Sequence, residues 1–274
     1  MKHFDRYYTK QERRNLILNA LVLLIFISYS IYLIIGSTDI VRVLFLLFIL
    51  IFFTGAMVLK EILNFFFQKA IYQLTHECDP LLAFETMKKV RKYDFLKGYT
   101  LSFVAFSSLV YIDTEKPEAL LELFAPGNKM TQNGKDMILI KNYSLYKAYV
   151  LLNNKTQMKK AYTELIRLKD LRVKGKSLSP LYAWFDIEAE YALLTNDVKE
   201  ASSILTKANT SALNTREKAH HLALVASVET EKGNLKEAKA LYEEISTIAN
   251  KMSLKERALL KLKEIKNEKT QKTR

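Results

Sequence analysis

Two long hydrophobic runs dominate the start of the chain, at residues 15–36 and 40–59. Asp39 and Arg42 are the only charged residues between positions 15 and 59. About 20 apolar residues are enough for a helix to cross a bilayer, and the connection is so short that the two helices must return side by side. A cleaved signal peptide is a poor alternative, because the first run exceeds the usual apolar core of roughly 7 to 15 residues. The pattern therefore predicts a transmembrane helical hairpin.

Beyond residue 60 the hydrophobic positions follow a period of 3.6 in paired helices. Five segments share an alanine and, four residues later, a larger apolar side chain on the same helical face. The pairs are Ala83 with Met87, Ala119 with Leu123, Ala161 with Leu165, Ala201 with Leu205 and Ala238 with Tyr242. Polar turns are predicted within the helix pairs at 77–80, 113–117, 153–156, 195–197 and 232–234. The pattern predicts a series of helical hairpins that stack as an α-solenoid.

The clearest copy of this pattern resembles the tetratricopeptide repeat, or TPR. Gly233 and Asn234 match the turn positions of that family, Ala238 and Tyr242 match the small and aromatic positions of its second helix, and Leu222 and Ala226 match core positions of its first helix. The resemblance extends over roughly residues 64–265 and implies an all-α solenoid whose first helices line a concave surface. A bundle of helical hairpins without shared ancestry is the alternative, because the copies are spaced more widely than the 34 residues of the family.

The resemblance also implies a partner-binding groove. Carrying over the groove positions of the family gives Tyr143, Tyr146, Asp186, Glu190, His220 and Ser227. Aromatic and charged side chains on an exposed concave surface suit a peptide or helix of a partner protein. For the tyrosines, packing against the neighbouring repeat is the alternative interpretation.

The net charge of +13 indicates that the chain has anionic surroundings or partners. Basic residues lie on one side of the predicted spans, at Arg13, Arg14, Lys60, Lys88, Lys89, Arg91 and Lys92. Because Lys and Arg are enriched on the cytoplasmic side, both termini are predicted to be cytoplasmic in a multi-pass plasma-membrane protein. Anionic lipid headgroups would suit these residues as partners, and simple solvation of helix surfaces is the alternative. Nucleic acid is disfavoured, since no recognition fold or basic–aromatic platform accompanies the charge.

Residues with catalytic or metal-binding chemistry are sparse and scattered. The seven glycines form no phosphate-binding loop, and the pair His76 and Cys78 has no second pair to complete a metal site. His220 and His221 are adjacent, so they are expected to form a solvated pair on different helix faces. The sequence predicts no enzyme, no cofactor and no metal.

These observations combine into an all-α protein with four regions. They are a basic N-terminus at 1–14, the transmembrane hairpin at 15–59, a TPR-like helical domain at 60–267 and a charged tail at 268–274. The expected function is a membrane-anchored cytoplasmic adaptor or scaffold that binds a protein or peptide through the groove. The alternative is a sensing or toxin-immunity protein whose hairpin meets a peptide or toxin within the bilayer. Richness in Lys, Ile, Asn and Leu is typical of an AT-rich bacterial genome.

Overall fold

A computed structural model describes residues 6–128, 135–169, 172–173, 176–177 and 182–272. The described residues form twelve helices: α1 (Lys10–Ile35), α2 (Ile40–Thr75), α3 (Pro80–Tyr93), α4 (Thr100–Asp113), α5 (Pro117–Leu123), α6 (Lys135–Leu151), α7 (Lys155–Ile166), α8 (Trp184–Leu194), α9 (Val198–Lys207), α10 (Thr215–Glu231), α11 (Leu235–Ile248) and α12 (Ser253–Lys272). A two-residue antiparallel ladder between β1 (Arg172–Val173) and β2 (Lys176–Ser177) is the one extended element in these ranges. The prediction of a helical protein is confirmed. Parts of the predicted terminal segments, residues 1–5 and 273–274, lie outside the described residues.

The chain divides into two compact units. Unit 1 comprises the described residues of Met1–Tyr72 together with Thr86–Phe95, and unit 2 comprises Gln73–Glu85 and the described residues that follow Phe95. Helix α2 passes position 60, the predicted domain boundary, without a break and ends at Thr75.

Helices α1 and α2 of unit 1 lie antiparallel. Hydrogen bonds join Arg6 to Tyr72 at 2.8 Å, Gln68 to Glu12 at 2.8 Å and Asn19 to Glu61 at 2.9 Å, and the rings of Phe26 and Phe53 meet with centroids 6.1 Å apart. Along these contacts the residue numbers rise in α1 while they fall in α2, as an antiparallel hairpin requires. Both helices are long and apolar enough to cross a membrane, as the hydrophobic runs predict.

The hairpin turns of unit 2 repeat one backbone geometry. A residue with positive φ lies in each turn, at Glu115, Asn153, Asn196 and Gly233. The next backbone N–H donates to the carbonyl five residues earlier, from Lys116 to Tyr111, Asn154 to Tyr149, Asp197 to Ala192 and Asn234 to Glu229, at 2.8 to 2.9 Å. Asparagine and glycine suit three of these positions, because they enter the left-handed region most easily. These turns begin within one residue of the predicted positions.

The packing side chains of the repeated pattern are buried. Met87, Leu123, Leu165, Leu205 and Tyr242 all belong to the core. Their alanine partners differ, since Ala83, Ala201 and Ala238 are fully buried whereas Ala119 and Ala161 are only partly buried. The alanine is therefore a close-packing position in some copies and not in others.

This difference predicts unequal costs for the same substitution. Ala238→Leu should lower the free energy of unfolding by about 1 to 3 kcal/mol, because added methyl groups overpack a filled core. Ala161→Leu is the matched control and should cost about 1 kcal/mol or less, because the site is partly open. Denaturant unfolding followed by the fluorescence of the single tryptophan, Trp184, measures both. Equal costs would contradict the packing described for these two alanines.

The first and last turns of unit 2 are bridged directly. The backbone N–H of Lys251 donates to the carbonyl of Cys78 at 3.1 Å, and the Asn250 side chain donates to the carbonyl of Glu77 at 2.7 Å. The Lys251 ammonium pairs with Asp79 at 2.6 Å. Cys78 accordingly joins the core cluster formed mainly by α10, α11 and α12. A series of helices that contact only their neighbours in sequence would lack these bridges.

Candidate functional site

Unit 2 contains a cavity of about 640 Å³ lined mainly by α6, α8, α10 and α12. Five of the six residues that sequence analysis assigned to the groove line it: Tyr143, Asp186, Glu190, His220 and Ser227. These residues come from α6, α8 and α10, the first helices of three successive hairpins. The structure therefore brings most of the predicted set together around one space.

Tyr146, the sixth predicted residue, lies in the core instead. Its side chain is completely buried and its ring meets that of Tyr162 at a centroid distance of 5.8 Å. Tyr162 in turn stacks on Tyr191 at 3.6 Å. Burial, and secondly the negative charge of Glu190, raise the pKa of Tyr146 well above its ordinary value, so the hydroxyl stays protonated. Tyr146 supports the cavity wall from behind and is closed to a partner.

The wall formed by α6 and α8 carries one ion pair. The ammonium of Lys147 lies 2.5 Å from a carboxylate oxygen of Glu190, and both side chains are largely buried. Opposite charges at this distance neutralise each other, which lowers the cost of burying both side chains. The pair ties two successive first helices together at the cavity surface.

Asp186 lies on the first turn of α8, and only one of its two carboxylate oxygens has a hydrogen-bond partner among the described residues. Its Oδ1 lies 2.7 Å from Nδ1 of His221 on α10. Its Oδ2 is buried and has no hydrogen-bond partner among the described residues. A buried acceptor without a donor costs free energy.

A second polar group lies behind the cavity, between α4, α10 and the residues preceding α8. Arg216 donates to both carboxylate oxygens of Asp113, from Nε at 2.5 Å and from an Nη at 2.9 Å. The same guanidinium donates to the hydroxyl of Tyr182 and lies over its ring. His220 Nε2 is 2.9 Å from Asp113 Oδ1. The side chains of Arg216 and Asp113 are only 2% and 0% exposed, so this is a buried ion pair. We call these four residues the Asp113 cluster.

The protonation states of the Asp113 cluster follow from its burial and pairing. Burial alone would raise the pKa of Asp113, but the charge of Arg216 and the hydrogen bond with His220 outweigh it and hold that pKa below its ordinary value. Burial lowers the pKa of His220, although Asp113 opposes the shift. Burial also raises the pKa of Tyr182 well above its ordinary value. At neutral pH the cluster thus holds one negative charge, one positive charge and a neutral imidazole.

The neutral state of His220 fixes which nitrogen carries the proton. A carboxylate only accepts hydrogen bonds, so Nε2 must donate to Asp113 and Nδ1 remains an acceptor. Both Tyr182 and His220 line the cavity, and both hydrogen-bond within the Asp113 cluster. The buried ion pair consequently positions two cavity side chains.

Two sequence-based expectations are corrected here. Asp113 belongs to a predicted polar turn, yet it ends α4 as a buried anion, because Arg216 supplies its counter-charge. His220 and His221 are not a solvated pair, since each faces a buried aspartate. Sequence reasoning also missed Arg216 and Tyr182. An ionisable residue at the end of the apolar helix α4 was the one local signal, and it did not identify partners 69 and 103 residues away.

Helix α12 forms the remaining wall of the cavity. Leu254, Arg257, Ala258 and Lys261 all line it. Arg257 pairs with Glu115 at 2.7 Å and Lys261 with Glu264 at 2.7 Å. The charged side chains of the cavity wall, on α8 as on α12, are therefore mostly held in ion pairs.

The described residues contain no group of three or more His, Cys, Asp or Glu side chains arranged to hold a metal ion. Cys78 is a buried free thiol whose pKa is raised to about 11, chiefly by burial and secondly by Asp113. A thiol with that pKa stays protonated at neutral pH and is a poor nucleophile.

The arrangement can offer hydrogen-bond acceptors, paired charges and apolar surface to a bound molecule. No protein-family model, curated protein or solved structure matches this chain.

Proposed function

We propose that this protein is a membrane-anchored adaptor whose TPR-like helical unit binds a segment of a partner protein in the cavity of unit 2. The observation on which the proposal rests is the convergence of Tyr143, Asp186, Glu190, His220 and Ser227 on one cavity. These positions follow from the family resemblance alone, so their convergence is independent support for a shared binding surface.

The chemistry of the wall favours a peptide segment as the bound molecule. The carboxylate residues Asp186 and Glu190 line the cavity, and His220, which also lines it, has an acceptor at Nδ1. Peptide N–H groups and basic side chains are donors that match such acceptors. Apolar side chains such as Val150, Leu193 and Leu224 lie between the polar groups. A volume of about 640 Å³ falls in the range of cavities that enclose small ligands, so it suits a short stretch of a partner chain.

Attachment to a membrane fits this function. Helices α1 and α2 supply two apolar segments of spanning length, and the excess of Lys and Arg on one side of them favours cytoplasmic termini. A tethered binding unit meets membrane-bound partners at a raised local concentration, so a modest affinity is sufficient. The cytoplasmic face of a bacterial plasma membrane is the proposed location.

Filling the cavity tests the proposal. Ser227→Phe places a large ring in the cavity without breaking an ion pair, whereas Thr206→Phe adds the same ring at an exposed site on α9 that does not line it. The full-length variants would be crosslinked in native membranes and their partners quantified by mass spectrometry. We expect Ser227→Phe to reduce crosslinked partner about tenfold or more, which corresponds to about 1.4 kcal/mol. Thr206→Phe should leave it unchanged.

Helical circular dichroism and unfolding of both variants verify that they fold. Unchanged partners in a folded Ser227→Phe protein would contradict binding in the cavity. That result would favour the alternative in which the hairpin itself meets a peptide or toxin in the bilayer.

A further inference from the structure

The end of helix α3 exposes aromatic side chains directly after a basic cluster. Phe95 is 74% exposed and Tyr93 is 47% exposed. Four of the seven residues before Phe95 are basic, namely Lys88, Lys89, Arg91 and Lys92, and Asp94 is the one acid among them. Leu96, the next residue, is 92% exposed, so Tyr93, Phe95 and Leu96 form a short run of exposed apolar side chains, and contiguous exposed apolar surface is typical of interaction sites. Aromatic rings beside Lys and Arg are typical of segments that lie at a membrane interface.

The lengths of α2 and α3 allow this segment to return to the level of the membrane. Helix α2 continues for 16 residues beyond Leu59, which is about 24 Å at 1.5 Å per residue. The connection 76–79 is short enough for α3 to return along α2. The 14 residues of α3 cover about 21 Å of this distance.

The division of the chain into units supports the return of α3 towards the hairpin. Residues Thr86–Phe95 belong to the compact unit of the hairpin, although the start of α3 does not. Met87 and Val90 are fully buried on this stretch, so one face of it is packed. Lys89 and Lys92 are exposed on the other face. A return of α3 along α2 places its end near the level of Lys60, at the edge of the second apolar run.

We propose that the end of α3 docks on the anionic leaflet of the membrane, with Phe95 inserted between the lipid headgroups and the acyl chains and the basic residues of 88–92 on the headgroups. This inference rests on the part of the proposed function in which α1 and α2 cross the bilayer. The occupant is a lipid surface because the segment is basic, aromatic and continuous with the membrane hairpin.

The same geometry separates the predicted lipid-facing basic residues into two groups. Lys60, Lys88, Lys89, Arg91 and Lys92 lie near the proposed interface. Arg13 and Arg14 follow Glu12, which accepts a hydrogen bond from Gln68, so they lie about 9 Å further along α2 than Lys60. The first group contacts headgroups directly and the second is set back from them.

Tryptophan fluorescence in vesicles with brominated acyl chains tests the docking. Trp184→Phe removes the single native tryptophan. Full-length proteins then carry Phe95→Trp at the proposed interface, Phe45→Trp within the second run, or Tyr7→Trp. Tyr7 contacts both Phe65 and Tyr72, which lie about 8 and 18 Å beyond Lys60 along α2. The vesicles contain equal amounts of phosphatidylcholine and phosphatidylglycerol, and circular dichroism confirms that each variant folds.

We expect bromine to quench the Phe95→Trp and Phe45→Trp proteins at least about threefold more strongly than the Tyr7→Trp protein, because quenching requires contact with the acyl-chain region. Quenching of the indole at position 45 without quenching at position 95 would overturn the docking and leave the membrane hairpin intact. It would also favour a protein as the occupant of this surface. Absence of quenching at position 45 would overturn the membrane hairpin itself. Equal quenching at position 7 would overturn the specific placement of α3.

A charge variant tests the role of the basic residues. Lys89→Gln together with Lys92→Gln, added to the Phe95→Trp protein, should reduce the quenching at position 95 about twofold or more in vesicles with phosphatidylglycerol. The same change should have little effect in vesicles of phosphatidylcholine alone. Equal quenching with and without these lysines in the anionic vesicles would overturn the headgroup contact.

Discussion

Replacing Arg216 with methionine is expected to lower the free energy of unfolding by about 3 to 5 kcal/mol, because it leaves Asp113 as a buried charge without a partner. Both carboxylate oxygens of Asp113 accept from this guanidinium, and neither side chain is appreciably exposed. Arg216 also donates to Tyr182, so the variant loses a third contact. Denaturant unfolding in a fixed detergent, followed by the fluorescence of Trp184, gives the measurement.

Lys218→Met on the same helix is the matched control. Lys218 pairs with Glu244 at 2.6 Å, but the two side chains are 53% and 42% exposed. An exposed pair contributes about 0 to 1 kcal/mol, so this variant should unfold almost as the native chain does. Comparable losses at positions 216 and 218 would contradict the burial of the Asp113 cluster.

Removing both charges distinguishes the cost of an unpaired Asp113 carboxylate from the net stability that the ion pair of Asp113 and Arg216 contributes. The double variant Asp113→Leu with Arg216→Met should recover much of the loss, because a buried pair replaced by apolar residues of similar size is often neutral. A double variant that unfolds as easily as Arg216→Met alone would indicate that the hydrogen bonds to Tyr182 and His220 matter more than the charge. The cluster would then act mainly by positioning those two cavity side chains.

The local parts of the fold follow from the sequence alone. Hydrophobic runs identify α1 and the first part of α2, and polar turns identify the hairpin connections at Asn153, Asn196 and Gly233. Both features depend on neighbours a few residues apart, so a period of 3.6 and a turn residue are enough to predict them. The resemblance to the TPR predicted that the first helices of the pairs share a surface, and five of its six predicted positions line the cavity.

Contacts between distant segments do not follow from the same pattern. Periodicity tells which face of a helix is buried, but it does not tell which element covers that face. Asp113 is therefore read as a turn residue until Arg216, 103 residues later, is found beside it. The contacts of Lys251 with Cys78 and Asp79 likewise do not follow from the local pattern. Both contacts join segments that are far apart in the chain.

The overlap of the Asp113 cluster with the cavity links stability to binding. Tyr182 and His220 contribute to both, because they hydrogen-bond within the cluster and also line the cavity. A partner that contacts His220 thus contacts a side chain whose orientation is set by a buried carboxylate. Mutations of Tyr182 or His220 would change folding and binding together, which makes Ser227 the cleaner position for a binding test.

Tyr146→Ala should produce the second large loss, about 3 to 5 kcal/mol of unfolding free energy, because it removes a completely buried aromatic ring from the core. The ring meets Tyr162, which stacks on Tyr191, so a cavity at this position loosens the contact between α6, α7 and α8. Unfolding followed by the fluorescence of Trp184 measures the change.

Tyr146→Phe is the control that separates packing from recognition. The hydroxyl of Tyr146 lies close enough to Glu190 to sense its charge, but no hydrogen bond of ordinary geometry joins it to the described residues. Its removal should therefore change the unfolding free energy by about 1 kcal/mol or less and leave partner crosslinking in native membranes unchanged. If Tyr146→Phe folds normally and abolishes crosslinking, the hydroxyl contacts the partner and the core assignment of Tyr146 is wrong. If Tyr146→Ala costs less than about 1 kcal/mol, the ring is not part of a packed core at all.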